Sequence, residues 1–304
     1  MQRPASRPTE LAAGDANAVG RMLGQLGDEW TLLVLQQALL GVTRYGDLRA
    51  RLPISDSVLS GRLQALTRDG LLTKRTYQTN PTRAEYLTTP RSRSLWPVLV
   101  SIWDWERRWV PDHAESLPGM RHSPCGGDFV PELTCRACGD VVSEKDLVAQ
   151  WGPSGSWARS VPTGATRRRS ASRQGEAGLF PQTMSVLGNR WAFAILVASF
   201  VGVSRFSDFQ SQLAAPPGSV ADRLSIFVAN GVLVSADGRY RLTEKGRAFL
   251  PVLISALHWA QRWFRAPEGP AVVLTHTGCG GRFTGVLTCD QCAGTLRGKD
   301  VSRI

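Results

Sequence analysis

Two stretches of this chain repeat one pattern, and the repeat limits the possible folds more than any other feature does. Leu26-Gly27-x-x-Trp30 precedes an apolar run, and Leu187-Gly188-x-x-Trp191 precedes another one 161 residues later. At the same spacing, Arg44-Tyr45-x-Asp47-Leu48 matches Arg205-Phe206-x-Asp208-Phe209. Chance matches do not keep one spacing over several motifs. The chain therefore contains two copies of one unit.

The stretch from Ile54 to Leu72 predicts a short helix in the first copy. Ser55 stands where it can cap the amino end, and Gly70 can end the helix in a left-handed conformation. Four apolar residues recur at helical spacing: Val58, Leu59, Leu63 and Leu66. The opposite face carries polar side chains that can reach base edges or phosphates. We interpret this segment as a recognition helix.

A β-hairpin and a long helix follow in each copy. In the first copy the predicted hairpin turns near Asn80-Pro81, and in the second it turns at Asp237-Gly238, a favoured two-residue turn. Each hairpin resembles the wing of a winged helix. The helices that follow carry aromatic stripes, which we interpret as core or helix-pairing surface rather than as a ligand site: Leu95, Leu99, Ile102, Glu106 and Trp109, and Phe249, Leu253, Ala256, Ala260 and Trp263.

Charge and composition restrict the partners. The formal net charge is +11 and the pI is near 10, which favours anionic partners such as nucleic acid. The chain has no run of about 18 apolar residues, so we expect a cytoplasmic protein without a membrane partner. The segment between the copies is rich in Gly, Ser and Pro, and we expect a flexible linker with five arginines: Arg159, Arg167, Arg168, Arg169 and Arg173. The linker could attract the phosphates of nucleic acid through its arginines or simply connect the two copies, and the sequence is equally compatible with both roles.

All six cysteines belong to one repeated pattern with a spacing of 154 residues between its copies. The first copy has His122, Cys125, Cys135 and Cys138, and the second has His276, Cys279, Cys289 and Cys292. Each copy contains a His-x2-Cys pair and a Cys-x2-Cys pair, which we call knuckles, and together they supply four soft or borderline metal ligands. Such a set matches a tetrahedral structural zinc site, so we expect one Zn²⁺ in each module. Three alternatives remain for this pattern: the cysteines are free thiols, each Cys-x2-Cys is a redox pair, or a ligand from outside the module replaces the histidine. His113 and His258 lie outside the pattern, and we interpret them as surface or packing residues.

Taken together, the motifs resemble the HxlR type of winged helix-turn-helix transcriptional regulators, relatives of the MarR group. The resemblance covers nearly all of residues 15–110 and 181–265. It implies DNA binding, and because members of this family are usually homodimers, it implies a pseudo-dimer within one chain. Many members sense electrophiles through a cysteine about thirteen residues before the tryptophan. This chain has Asn17 and Gly178 there, so that mechanism does not carry over.

The predicted fold class is α+β, mainly helical. We expect winged helix-turn-helix domains at residues 15–112 and 181–266, zinc-ribbon-like modules at 119–147 and 273–301, and a linker at 148–180. The expected DNA contacts are Arg44, Ser55, Asp56, Ser57, Ser60, Arg62, Gln64, Arg68, Lys74, Arg75 and Arg83 in the first copy, and Arg205, Ser219, Arg223 and Arg239 in the second. For Arg62 and Arg223, an ion pair within the domain is equally compatible with the sequence.

Three functions fit these features. The first is a sequence-specific regulator of double-stranded DNA in which the first copy reads most bases. The second is a metal- or redox-responsive sensor, and the third is a regulator whose second winged helix binds a protein, because Pro216-Pro217-Gly218 offers few polar groups. No phosphate-binding glycine loop or catalytic grouping occurs outside the zinc pattern, so we do not expect an enzyme. The sequence leaves open the effector, the operator and further homodimerisation.

Overall fold

The computed structural model describes residues 7–80, 82–111, 117–161 and 181–304. Within these ranges the chain is mainly helical with short two- and three-stranded sheets, as the predicted fold class requires. No helix in these ranges is long and apolar enough to cross a bilayer. The predictions for His113, for Arg167, Arg168, Arg169 and Arg173, and for Gly178 lie outside the described residues.

The first copy has the predicted order of elements. Its helices are α1 (Ala18–Leu26), α2 (Glu29–Leu39), α3 (Tyr45–Arg51), α4 (Asp56–Arg68), α5 (Pro90–Arg93) and α6 (Trp96–Trp109). Its strands are β1 (Thr9–Glu10), the wing strands β2 (Leu72–Thr79) and β3 (Thr82–Thr88), and then β4 (Met120–His122), β5 (Gly127–Asp128), β6 (Pro131–Cys135) and β7 (Leu147–Trp151). A short helix, α7 (Trp157–Ser160), follows.

The second copy repeats this order. Its helices are α8 (Pro181–Leu187), α9 (Arg190–Phe200), α10 (Phe206–Leu213), α11 (Pro217–Ala229), α12 (Glu244–Arg247) and α13 (Leu250–Trp263). Its strands are the wing strands β8 (Leu233–Ala236) and β9 (Arg239–Leu242), and then β10 (Phe264–Arg265), β11 (Val272–His276), β12 (Gly285–Cys289) and β13 (Val301–Arg303). The second wing is shorter, and Asp237 and Gly238 both have positive φ at its turn, as expected.

Local signals explain most helix ends. The Asp28 side chain caps α2, and Asn189 caps α9 in the same way at the matching position. Gly70 follows α4 with φ +71°, as predicted. Ser55 occupies the N-cap position of α4, as predicted, but its hydroxyl makes no capping hydrogen bond and lies 3.3 Å from the Ser57 hydroxyl instead.

The two copies pack around a pair of equivalent helices. Helix α6 packs on α13, and the amino-terminal helices cross over, so that α1 packs on α13 and α8 packs on α6. The core is continuous across both copies. Trp105 meets Phe249 edge to face with ring centroids 5.0 Å apart. Leu95, Ile102, Phe249, Ala256 and Trp263 of the predicted stripes lie in this shared core, so the stripes are core or helix-pairing surface, as predicted.

Reciprocal hydrogen bonds show how closely the copies follow a twofold relationship. The Trp105 indole donates to the Lys245 carbonyl at 2.9 Å, and the matching Trp259 indole donates to the Arg91 carbonyl at 3.0 Å. Both acceptors lie in the short helix that precedes the long one, in the opposite copy. A buried indole N–H needs an acceptor, so these bonds hold each long helix against the short helix that follows the wing of the other copy.

The cysteine modules are joined to each other by three strand pairings. Strand β6 pairs with β12 around Leu133↔Leu287, β4 pairs with β13, and β7 pairs with β11, all antiparallel. The predicted modules at 119–147 and 273–301 therefore share their sheets. Their apolar side chains form a second core between them, which includes Phe129, Leu133, Phe283 and Leu287.

The prediction of a flexible linker from residue 148 is wrong for residues 148–161. This part of the chain forms the end of β7 and the helix α7. Strand β7 pairs with β11, and the rings of Trp151 and Trp157 pack edge to face. Arg159 is an ion-pair partner of Glu268 at 3.4 Å rather than a free basic side chain. The rest of the predicted linker, residues 162–180, lies outside the described residues.

Candidate metal centres and nucleic-acid interface

Eight side chains form two compact groups that could each hold a metal ion. One group is His122, Cys125, Cys289 and Cys292, and the other is Cys135, Cys138, His276 and Cys279. The ligand atoms of each group lie within 4.8 Å of one another. These are the eight residues expected from the sequence, but the pairing differs. The expectation that each module encloses its own ion is wrong, because each group takes one knuckle from each copy.

The distances show how the knuckles meet. In the first group, Nδ1 of His122 lies 3.4 Å from Sγ of both Cys125 and Cys292. Cys125 and Cys289 approach to 3.9 Å between sulfurs. In the second group, Nδ1 of His276 lies 3.4 Å from Sγ of Cys138, and Cys135 and Cys279 are 4.0 Å apart.

The exchange follows from strand pairing. Strands β6 and β12 run antiparallel across the twofold relationship, so that Cys135 lies opposite Gly285 and Cys289 lies opposite Pro131. The carboxyl end of each strand, which begins the Cys-x2-Cys knuckle, therefore reaches the His-x2-Cys knuckle of the other copy. Glycines at positive φ, Gly126 and Gly280, let the His-x2-Cys turns close.

The electrostatics of the first group favour a cation. A hydrogen bond from the Gly127 backbone lowers the pKa of the Cys125 thiol to about 7, whereas burial raises the pKa of Cys289 to about 11. The three close sulfurs therefore do not all ionise in the absence of a positive charge, and a bound cation would supply that charge. Three sulfurs and one imidazole are a donor set typical of structural zinc, and four protein ligands leave no open position for water.

The recognition helix α4 presents part of the expected polar face. Leu59, Leu63 and Leu66 are buried, as predicted. Val58 is 37% exposed, so its assignment to the apolar face is wrong and it lies on the outer face instead. Six further residues on or next to this helix are exposed: Ser55, Asp56, Ser57, Gly61, Gln64 and Arg68.

Arg62 is held inside the domain. Its guanidinium donates to Oδ2 of Asp28 at 2.7 Å, while the other carboxylate oxygen of Asp28 caps α2. Of the two roles that the sequence allows for Arg62, the structure has the ion pair within the domain. Arg62 therefore connects α4 to α2 rather than pointing freely outward. In the second copy Asn189 replaces Asp28, and Arg223 pairs with its neighbour Asp222.

A polar network also fixes the start of α4. The Tyr45 hydroxyl donates to Oδ1 of Asp56 at 2.8 Å and accepts from Ser60 at 3.4 Å. Arg49 lies 3.5 Å from the same carboxylate oxygen. Asp56 and Ser60, predicted as base contacts, thus position α4 on α3. Neither Tyr45 nor Asp28 was predicted as a functional residue. Tyr45 belongs to a repeated motif, whereas Asp28 lies at a variable position, where the second copy has Asn189.

The first wing carries the basic side chains predicted for it. Lys74 and Arg83 are exposed, and Arg68 keeps 76% of its side chain exposed beside Asp69. Arg75 donates to Glu85 at 2.7 Å across the hairpin while 62% of its side chain stays exposed. Arg44 stacks over the Tyr77 ring at 5.1 Å.

The second reading surface is poorer in polar groups. Helix α11 begins at Pro217, and the positions of Tyr45, Asp56 and Ser60 hold Phe206, Pro217 and Ala221. Of the residues predicted to contact DNA in this copy, Arg205 is exposed, Ser219 is half-buried, and Arg239 donates to the Ser204 hydroxyl at 3.2 Å. The two copies therefore have the same order of elements but differ in the polar side chains exposed on α4 and α11.

The position of the sensing cysteine in the family is occupied by a buried amide. The Asn17 side chain caps α1 by accepting from the backbone N–H groups of Val19 and Gly20. Its amide nitrogen donates to Ser160 Oγ at 2.8 Å and to the Ser154 carbonyl. Asn17 therefore ties α1 to the segment around α7, and this chain has no thiol at that place.

This architecture, two winged helix-turn-helix units around a shared pair of long helices, defines a class of DNA-binding regulators. A family model described as HxlR-like helix-turn-helix matches residues 25–114 and again residues 186–268, together more than half of the chain. The chain belongs to this family and carries its domain twice. The predicted resemblance is confirmed.

The relatives are transcriptional regulators by name. An uncharacterised HTH-type transcriptional regulator of Mycobacterium tuberculosis is 34% identical over 139 residues, which cover 46% of this chain and 88% of that protein. The uncharacterised regulator YvaP of Bacillus subtilis is 34% identical over 86 residues, 28% of this chain and 80% of YvaP. A solved structure of a candidate transcription factor from Pseudomonas aeruginosa is 26% identical, covers 47% of this chain and 97% of its own, and has a TM-score of 0.36.

Proposed function

We propose that this chain is a sequence-specific DNA-binding transcriptional regulator that acts as a single-chain pseudo-dimer, with the first copy as the main base reader. The family supplies the DNA-binding class. The observation that carries the finer proposal is the reciprocal packing of α6, α13, α1 and α8, in which each copy completes the core of the other. A symmetric dimer interface has become an intramolecular one.

The asymmetry of the two recognition helices supports a division of labour. Ser57, Gln64 and Arg68 are exposed on α4, and their counterparts on α11 are Gly218, Ser225 and Ala229. Polar side chains that reach base edges distinguish sequences, whereas the side chains of Gly218 and Ala229 carry no hydrogen-bonding group and Ser225 has only a short hydroxyl. The first copy therefore reads most bases, and the second copy mainly contacts the phosphate backbone of the DNA and completes the pseudo-dimer.

Binding-site selection from random duplexes, followed by footprinting, tests this proposal. We expect protection over two sites about one helical turn, roughly 10 bp, apart, with strong sequence preference in only one of them. Equal preference in both half-sites would overturn the division of labour. Protection of a single half-site would favour the alternative in which the second winged helix binds a protein.

We also propose that the two exchanged groups hold structural Zn²⁺. The donor sets of three cysteines and one histidine and the compact spacing of the ligand atoms support this choice. Each ion would connect one knuckle from each copy, and would therefore stabilise the arrangement of the two reading heads. Metal binding to such ligands adds directly to folding free energy.

A metal- or redox-responsive regulator is the second candidate, favoured by one observation. Cys125, Cys138, Cys279 and Cys292 are exposed, so an oxidant can reach two sulfurs of each group. Loss of an ion would weaken the connection between the copies and with it the spacing of the reading heads. Peroxide or chelator treatment that leaves operator affinity unchanged would dispose of this candidate.

A further inference from the structure

An apolar cavity of about 270 Å³ lies between the two copies, and nothing in the DNA-binding role accounts for it. Its walls come from α1, β7 and α7 of the first copy and from α9, α13 and β11 of the second. Four aromatic side chains line it: Trp151, Trp157, Phe193 and Phe200. Most of the remaining lining residues are aliphatic.

The internal repeat explains why the space is open. Leu250 and Leu257 line the cavity, and their counterparts in the first copy are Trp96 and Trp103. Trp103 is buried, with its indole donating to the Pro118 carbonyl at 2.9 Å, and Trp96 packs against Gly298. Indoles therefore fill the equivalent place in the first copy. Leucines at these positions leave room that a protein interior normally fills.

The few polar groups of the cavity define the chemistry of a ligand. Glu144 already faces Arg247 at 3.5 Å, and the Ser160 hydroxyl already accepts from Asn17. Gln150 and Gln212 remain as amide groups on the lining. With no unpaired charge among the described lining residues, a charged ligand would lose its hydration without compensation.

We infer that this cavity is a binding site for a small uncharged molecule with one or two aromatic rings and one hydrogen-bonding group. Its volume of about 270 Å³ lies just below the usual range of roughly 300–1,000 Å³ for small-molecule pockets, which limits the size of the ligand. Edge-to-face and stacked contacts with the four aromatic side chains would hold the rings. One amide, from Gln150 or Gln212, would orient the polar group.

The position of the cavity makes the ligand an effector. Phe193 and Val197 belong to α9, which packs on the recognition helix α11, and Gln212 belongs to α10 of the same helix-turn-helix. A ligand that wedges α9 away from the first copy would change how α11 sits relative to α4. The binding site itself rests on the cavity alone, whereas its effect on operator affinity rests on the proposed function.

Titration of the full chain with 1-naphthylamine tests the site, because this fluorophore is uncharged at neutral pH and carries two fused aromatic rings and one amino group. Leu257→Trp introduces the residue that the first copy carries at the matching position, and Val201→Trp narrows the mouth at a half-exposed residue. Val234→Trp, at an exposed valine on the second wing, is the matched control. We expect saturable binding to the wild type and the control, and at least tenfold weaker binding to both cavity variants.

Equal binding to all four proteins would overturn the site, as would the absence of saturable binding to the wild type. Thermal unfolding of each variant distinguishes a filled cavity from a disrupted fold, because a filled cavity should keep or raise the midpoint. Operator affinity measured with and without the fluorophore then tests the effector role separately. Probe binding without any change in operator affinity would keep the binding site and reject its regulatory effect.

Discussion

The Sγ atoms of Cys125 and Cys289 lie 3.9 Å apart, although 164 residues separate them in the chain. This contact joins the His-x2-Cys knuckle of one copy to the Cys-x2-Cys knuckle of the other. A metal ion held in either group would therefore connect the two copies rather than close a module within one of them. Several consequences can be measured directly.

Two double variants distinguish exchanged metal sites from sites within each module. Cys125→Ser with Cys289→Ser removes two ligands from one group and leaves the other intact, so we expect one zinc per chain. Cys125→Ser with Cys135→Ser removes one ligand from each group, and we expect both sites to be weakened or lost. Zinc content of the purified proteins is the measurement. Retention of one zinc by the second variant and none by the first would reverse the pairing.

The Arg62–Asp28 pair predicts that Arg62 acts through stability and geometry. Arg62→Ala should lower the free energy of unfolding by about 1 kcal/mol, and Asp28→Ala by about 2 kcal/mol because it also removes the cap of α2. The coupling energy in the double variant should be about 1 kcal/mol. Affinity for different DNA sequences should fall by the same factor. A change in base preference at one position upon Arg62→Ala would show instead that the guanidinium reads a base.

The exposed polar face of α4 predicts a difference between matched substitutions in the two copies. Gln64→Ala should relax base preference at one position of the selected site and cost ~1–3 kcal/mol there. Ser225→Ala, at the matching position of α11, should leave both affinity and preference nearly unchanged. Binding to a panel of single-base variants of the selected site provides the comparison. Equal effects of the two substitutions would contradict the asymmetric model.

The basic first wing predicts a salt-dependent contribution. Lys74→Ala should weaken binding to all sequences and reduce the slope of log affinity against log salt by about 1, because one phosphate contact is lost. Ser235 occupies the matching position on the short second wing, so Ser235→Ala serves as the control. An unchanged slope for Lys74→Ala would place the wing away from the phosphates.

His258 predicts a pH dependence of stability. Burial lowers its pKa from 6.5 to about 4, so the folded state favours the neutral ring. This stability is fully present above pH 6.5 and is lost as the pH falls toward 4, up to about 3 kcal/mol in all. The free energy of unfolding of the wild type should therefore fall more steeply than that of His258→Gln over this range. Parallel curves would mean that the ring is protonated without penalty.

The sequence was most informative where one copy could be compared with the other. The repeat alone predicts both helix-turn-helix units, both wings and the eight Cys and His residues that form the two groups. The local knuckles could not reveal their partners, because both copies carry the same ligand types at the same spacing. Partner choice depends on the pairing of β6 with β12, which is a long-range contact.

Amino-acid composition gave a wrong prediction for the segment after Leu147, where contacts of a few large side chains decide the structure. The Gly- and Pro-rich stretch after Leu147 resembles a linker, yet Trp151 and Trp157 supply enough apolar surface to order it. The role of Arg62 depended on which residue faces it, and only the packing of α4 on α2 brings Asp28 within reach. Such choices are made by tertiary contacts that no local pattern contains.

Native mass spectrometry of the full chain with its selected duplex tests the single-chain pseudo-dimer most directly. We predict a complex of one chain, two zinc ions and one duplex, because each copy supplies one reading head and half of each metal site. A complex that forms only with two chains on one duplex would contradict the account, since the operator would then be read by a dimer of chains.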